Sequence, residues 1–224
     1  MGKRIAVVAV TPVFDDRDFF RVRTIDDADF LELRVAYAED PATLNFKWLL
    51  PLKDRAIVSL RGIRESESVK DPLKDAERIV SAVRKLRLML EVDVELLEEL
   101  GGESLVDSLT VVSLSLDKRS VSENEMRDIV GRYAGKAYAL KVRVDATDRA
   151  FPINAARALS LADNVVVDAA RSGVRETALL ALLGSRMLYG YAGYKLEYSL
   201  SYKTVKLIVS RLEEFLKSLS SGAQ

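Results

Sequence analysis

The segment Ala137-Tyr138-Ala139-Leu140-Lys141-Val142-Arg143-Val144 decides the fold. Side chains along a strand alternate between two faces. Ala137, Ala139, Lys141 and Arg143 therefore share one face, and Tyr138, Leu140, Val142 and Val144 share the other. A lysine placed in such a strand is costly unless it is paired, solvated at a cavity mouth or kept for amine chemistry. The same division recurs elsewhere in the chain. Leu31, Leu33 and Val35 oppose Phe30, Glu32 and Arg34, while Ala56, Val58 and Leu60 oppose Ile57, Ser59 and Arg61. Leu88, Leu90, Val92 and Val94 oppose Met89, Glu91, Asp93 and Glu95, and Val112, Leu114 and Leu116 oppose Val111, Ser113 and Ser115.

Strand-like runs fall at residues 5–10, 30–35, 56–61, 88–95, 109–115, 137–144, 164–168 and 186–191, with helical stretches between most of them. Asp40-Pro41 and Asp71-Pro72 each set a capping residue before a first-turn proline, and Ser122-Glu123-Asn124-Glu125 has the pattern of a capping box. Ile79, Val80, Val83 and Leu86 recur at helical spacing, as do Val205, Ile208, Val209, Leu212, Phe215 and Leu216 in a closing helix. An open parallel sheet covered on both faces by helices has strands that are apolar throughout, whereas here one face is polar. The pattern predicts a single (β/α)8 TIM barrel over residues 1–224, with the apolar faces toward the helices and the polar faces pointing inward. An open doubly wound sheet is the second choice. An antiparallel sheet with one solvated face is disfavoured by the intervening helices.

Composition narrows the chemistry. Lys plus Arg and Asp plus Glu each number 34 in 224 residues, so no net field draws the chain to nucleic acid or membrane. A small ligand is the expected partner. With no cysteine and no histidine there is no disulfide, thiol nucleophile or imidazole base, and no metal centre is expected. The start of the chain has no signal-type apolar core, and the longest uncharged apolar stretch, residues 178–183, is too short to span a bilayer. The expected location is the cytoplasm.

The inward faces bring together acidic Glu32, Glu91, Asp93 and Glu95 with basic Arg34, Arg61, Lys141 and Arg143. One reading is a buried ion-pair network without chemistry. The other is a ligand site, in which the neighbouring arginines depress the Lys141 pKa and free its amine for attack on a carbonyl while the acids oppose that shift. Tyr189, Tyr191, Tyr194, Tyr198 and Tyr202 cluster around the last strand, either as an exposed contact surface or as core and loop packing.

In order and placement these motifs resemble the type I 3-dehydroquinate dehydratases. That family carries Glu-Leu-Arg on strand two, matching Glu32-Leu33-Arg34. It carries Arg and, four residues on, Glu after strand three, matching Arg61 and Glu65, and Asp-x-Glu on strand four, matching Asp93-Val94-Glu95. Its Schiff-base lysine on strand six matches Lys141. The resemblance implies dehydration of 3-dehydroquinate to 3-dehydroshikimate through an imine, a step of the shikimate pathway toward aromatic amino acids. It implies no metal or organic cofactor and a small carboxylate- and carbonyl-bearing substrate. A homodimer is compatible with it.

The chain departs from the family at three places. Ser113-Leu114-Ser115-Leu116-Asp117 stands for Ser-x-His-Asp-Phe, with Ser120-Val121 for the following Thr-Pro, so Ser115 takes the place of the general acid-base histidine. Thr177 stands for the clamping arginine after strand seven, with Arg175 two residues earlier as a substitute. The Ser-Ala-Pro-Gly-Gln loop after strand eight has no counterpart in Tyr194-Lys195-Leu196-Glu197-Tyr198-Ser199-Leu200, and the one glutamine is Gln224. By the resemblance, Lys141, Glu65 and Ser115 are the candidate catalytic residues, and Glu32, Arg34, Arg61 and Arg175 bind substrate. The activity is expected to be impaired or altered. The alternatives are another class I Schiff-base lyase or aldolase and a non-catalytic ligand-binding paralogue. A phosphorylated substrate is disfavoured, since no glycine-rich cradle follows strands seven and eight.

Overall fold

The computed structural model describes residues 4–116 and 121–221. In chain order the elements are β1 (Ala6–Pro12), α1 (Asp16–Arg21), β2 (Phe30–Arg34), β3 (Ala56–Ser59), α2 (Pro72–Lys85), β4 (Met89–Asp93), α3 (Val94–Leu100), β5 (Thr110–Ser115), α4 (Glu123–Tyr133), β6 (Ala139–Asp145), α5 (Phe151–Leu159), β7 (Val165–Ala170), α6 (Val174–Leu182), β8 (Met187–Tyr191) and α7 (Tyr202–Ser221). The strands are parallel and ordered β7-β6-β5-β4-β3-β2-β1-β8, which nearly closes a (β/α)8 barrel. Between β7 and β8 no backbone ladder forms among the described residues. Near the strand starts that seam is bridged by the Ser185 hydroxyl, which accepts from Val167 N at 3.2 Å and donates to Met187 O at 3.0 Å.

The alternation of the sequence sorts the core into two. Leu31, Leu33, Ala56, Val58, Leu90, Val92, Val112, Leu140 and Val142 pack outward against the helices. Val8, Val10, Ile57, Met89, Val111, Ala139, Val166 and Met187 fill the barrel interior at its amino-terminal side. Parallel register then stacks the polar inward positions above this plug. Ser59 lies beside Glu91, Ser113 beside Lys141, and Arg143 beside Asp168.

A side-chain cap forms at two of the three sites. The Asp71 side chain accepts from Lys74 N at the start of α2, and the Ser122 hydroxyl accepts from Glu125 N at the start of α4. Asp40-Pro41 instead opens only a single 3-10 turn, Pro41–Thr43, and the Asp40 side chain makes no capping bond. The chain from β2 to β3 has no α-helix. In α7, Val205 and Val209 are buried, but Phe215 and Leu216 are exposed, since the helix runs on past the barrel wall that covers its first half.

β4 also ends earlier than its alternation suggests. The Asp93 carboxylate accepts from Leu96 N at 2.9 Å and caps α3, so Val94 and Glu95 belong to that helix. Glu95 is exposed on α3 rather than inward. None of the described helices is long and apolar enough to cross a membrane.

Candidate functional site

At the carboxyl end of the barrel the described residues bring four cations, Lys141, Arg34, Arg61 and Arg143, against four carboxylates, Glu32, Glu91, Asp168 and Glu197. Lys141 is central and only 1% exposed. Its Nζ donates to Glu32 Oε2 at 2.6 Å and lies 3.0 Å from Glu91 Oε1 and 3.5 Å from Asp168 Oδ2. The Tyr189 ring centroid is 4.4 Å from the same nitrogen. Arg34 Nε donates to Glu32 Oε1 at 3.0 Å, and its Nη2 to the Tyr198 hydroxyl at 2.8 Å. That hydroxyl in turn donates to Asp168 Oδ2 at 3.0 Å, which Arg143 Nη1 reaches at 3.2 Å.

The outermost member is Glu197, on the loop that follows β8. Its Oε1 is paired with Arg34 Nη1, lies 2.9 Å from Arg143 Nη1 and is 3.9 Å from Arg61 Nε. Outside it lies a cleft of about 310 Å³ lined by Arg34, Ala36, Tyr37, Arg61, Gly62, Glu65, Ser66 and Glu197. A smaller crevice of about 50 Å³ is bordered by Arg61, Glu65, Asp93, Glu95, Ser113 and Ser115.

Protonation follows from this packing. Burial pulls the Lys141 pKa down, but Glu32, Glu91 and Asp168 overcome it and hold the ammonium above its ordinary value. The sequence-based expectation that arginines would depress it is therefore reversed, because the charges of Glu32, Glu91 and Asp168 outweigh that of Arg34. Burial, reinforced by Glu91, raises Glu32 above the ordinary carboxylate range despite Lys141 and Arg34. For Glu91 burial is outweighed by Lys141, Arg34 and Arg61, and its pKa is lowered. Within this acidic pair, Glu32 is the better proton acceptor. Asp168 is held well below the usual range, as Lys141, Arg143, Arg61 and Arg34 outweigh its burial. Glu197 falls to about 2, with Arg34 and Arg143 outweighing burial. Burial drives Tyr189 and Tyr198 well above the ordinary phenol value, so both hydroxyls keep their protons.

The residues singled out in the sequence divide into two groups. Glu32, Arg34, Arg61 and Lys141 meet in one cluster. Glu65 is exposed at the rim, and half-buried Ser115 lines the small crevice with it. Arg175 is an exposed residue in the first turn of α6, and no described contact joins it to the cluster. Thr177, on the same helix, is buried. Asp117 and Ser120, matched to the strand-five motif, lie outside the described residues. Tyr189, Tyr198 and Tyr202 are buried, so the tyrosines do not form one exposed surface; Tyr194 is 52% exposed. Asp168 and Glu197 were missed. Asp168 could have been found from the alternation Val166, Asp168 in the seventh strand, whereas no sequence pattern marks Glu197.

Solved structures similar to this chain include 3-dehydroquinate dehydratase from Geobacillus kaustophilus, at 14% identity and TM-score 0.69, covering 95% of this chain and 92% of that one. The type I enzyme from Clostridium difficile, with covalently modified comenic acid, is 13% identical at TM-score 0.67, covering 95% and 93%. Dihydropteroate synthase from Thermus thermophilus is 13% identical at TM-score 0.61, covering 94% and 93%. These likenesses establish the barrel. No protein-family model and no curated protein matches the sequence. One barrel serves many chemistries, so the site must carry the functional argument.

Proposed function

We propose that this barrel is a divergent Schiff-base lyase of the 3-dehydroquinate dehydratase type, with Lys141 as the imine-forming amine. The observation that carries the reading is Lys141 at the barrel centre, its Nζ 2.6 Å from the one carboxylate of the pair with a raised pKa, Glu32. An ammonium cannot attack a carbonyl, so a proton must first leave Nζ, and Glu32 is placed to accept it. The free amine then adds to the substrate ketone, and the ketone oxygen departs as water. The resulting iminium draws electrons from the adjacent carbon, which loses a proton while the β-hydroxyl leaves with one as a second water. Addition of water to the imine releases the product and restores Lys141, so the balance is loss of one water. Arg34, Arg61 and Arg143 suit the substrate carboxylate, since guanidinium groups bind carboxylates through paired charge-assisted hydrogen bonds. Glu65 and Ser115 border the entrance, where the resemblance assigns proton transfer to their positions. A serine is a weak base at neutral pH, which supports a slow or altered reaction.

Incubation with 3-dehydroquinate and borohydride should leave a reduced adduct on Lys141, read by peptide mass spectrometry, and none on Lys141→Arg. Product formation without any Lys141 adduct would overturn the imine route. A second reading, a carboxylate-binding paralogue without turnover, is favoured by the raised Lys141 pKa and by the occupied mouth. It predicts saturable binding of 3-dehydroquinate with neither adduct nor product.

A further inference from the structure

Three guanidinium groups from separate parts of the barrel rim converge on one carboxylate oxygen supplied by the protein itself. Arg34 ends β2, Arg61 lies in the turn after β3, and Arg143 lies on β6; all three face Glu197 Oε1. Arg34 and Arg143 are almost wholly buried, and the Glu197 side chain is 25% exposed, so the carboxylate stands between them and solvent. The cleft of about 310 Å³ opens directly onto Arg34, Arg61 and Glu197. We infer that Arg34, Arg61 and Arg143 form a seat for the carboxylate of a small hydroxylated acid, and that Glu197 fills this seat from within until such a ligand displaces it.

The Glu197 carboxylate, 25% exposed at the edge of the cleft, can turn outward while Tyr198, 1% exposed in the interior apolar cluster, stays in place. Gly193 at the start of the loop has φ +77°, a conformation in which a side chain is strained. Its far end is pinned by Tyr191 N donating to Leu200 O at 3.0 Å and by the bridge between Tyr191 and Ser201. Between these points Tyr194 rests edge-on against exposed Phe14, with ring centroids 5.2 Å apart. Main-chain attachment to the barrel includes Arg171 N donating to Glu197 O at 3.0 Å, across the seam where β7 and β8 share no ladder. Withdrawal of Glu197 strips Arg34 and Arg143 of one carboxylate, and an incoming carboxylate restores the lost charge pairing. The hydroxyl requirement rests on Asp168, wholly buried, whose Oδ1 has no hydrogen-bond partner among the described residues. A ligand hydroxyl supplies the missing donor.

This inference rests on reading the cluster as a ligand site, but not on imine chemistry. Quinate has the carboxylate and ring hydroxyls but no ketone, and inositol has the hydroxyls alone. Calorimetry should show quinate binding Glu197→Gln at least tenfold more tightly than wild type, with inositol binding neither. Hydrogen exchange of wild type at saturating quinate should show residues 193–197 and the Arg171 amide losing protection while the strands keep theirs. Equal quinate affinity in a folded Glu197→Gln variant, equal binding of inositol, or an unchanged loop would overturn the inference. If that variant fails to fold, the wild-type exchange experiment decides, and absence of quinate binding counts against the seat. A borohydride adduct without quinate-induced loop release would sink this inference and leave the imine reading standing. The converse result would sink only the imine reading.

Discussion

Lys141 is almost wholly buried among three carboxylates that its charge pairs with. Replacing it by methionine keeps the volume but leaves Glu32, Glu91 and Asp168 facing one another with one cation fewer. Breaking a buried pair from one side costs roughly 3–5 kcal/mol, and chemical denaturation of Lys141→Met should show a loss of that order. A loss below about 1 kcal/mol would mean that the carboxylates take up protons to compensate. Ser115 poses the opposite case, a position with the wrong chemistry rather than a costly charge. If the Schiff-base reading holds, Ser115→His should raise the rate of dehydration by about 10²- to 10⁴-fold, the usual contribution of a positioned acid-base group. Steady-state assay with 3-dehydroquinate checks this, and an unchanged rate would mean that the pocket, not only its base, has changed. Lys141 and its polar face were legible from one strand. Its raised pKa was not, because that depends on how closely Glu32, Glu91 and Asp168 approach Nζ, and no local pattern fixes those distances.

At the scale of elements, β8 and α7 set where the Glu197 loop begins and ends. Gly190 is required there by close approach: a Cβ at this position would lie 2.6 Å from Tyr202 N and 2.7 Å from Ser201 C. Backbone cannot yield as a flexible side chain does, so Gly190→Ala must push α7 away from the barrel. Overpacking of this kind costs about 1–3 kcal/mol, and the variant should also expose residues 193–198 to faster hydrogen exchange. An alanine variant as stable as wild type would show that the β8–α7 junction is looser than its geometry. The capping aspartates teach a related lesson. Asp71 and Asp93 look alike as acids in the sequence, and both close helix ends. For Asp93 that use commits Oδ1 to Leu96 N, and the side chain borders the small crevice rather than joining the ion-pair cluster.

For the whole molecule, the charge cluster couples folding to pH. Glu197 has a folded pKa of about 2 and Asp168 lies well below its ordinary value, whereas both titrate near 4 in an unfolded chain. Depressed carboxylate pKa values contribute stability that is complete above the unfolded pKa and is lost as pH falls toward the folded one. The raised pKa of Glu32 acts in the opposite sense, but the lowered Glu91, Asp168 and Glu197 outnumber it, so Tm should fall from about pH 5 toward pH 2. Glu197→Gln should flatten part of that slope, and an unchanged slope would remove Glu197 from the acid response. Strand alternation and the helical stretches between the strands predicted the eight-stranded barrel ahead of an open sheet, its outward and inward faces, and the inward placement of Glu32, Arg34, Arg61 and Lys141. The faces follow from local alternation, which a two-residue repeat imposes on any strand. Only the tertiary structure decided that Asp168 and Glu197 complete the cluster, that Asp93 and Glu95 leave it, and that the protein's own carboxylate occupies the arginine seat. Those outcomes depend on distances between residues far apart in the chain, such as Arg34 and Glu197, which sequence spacing does not encode.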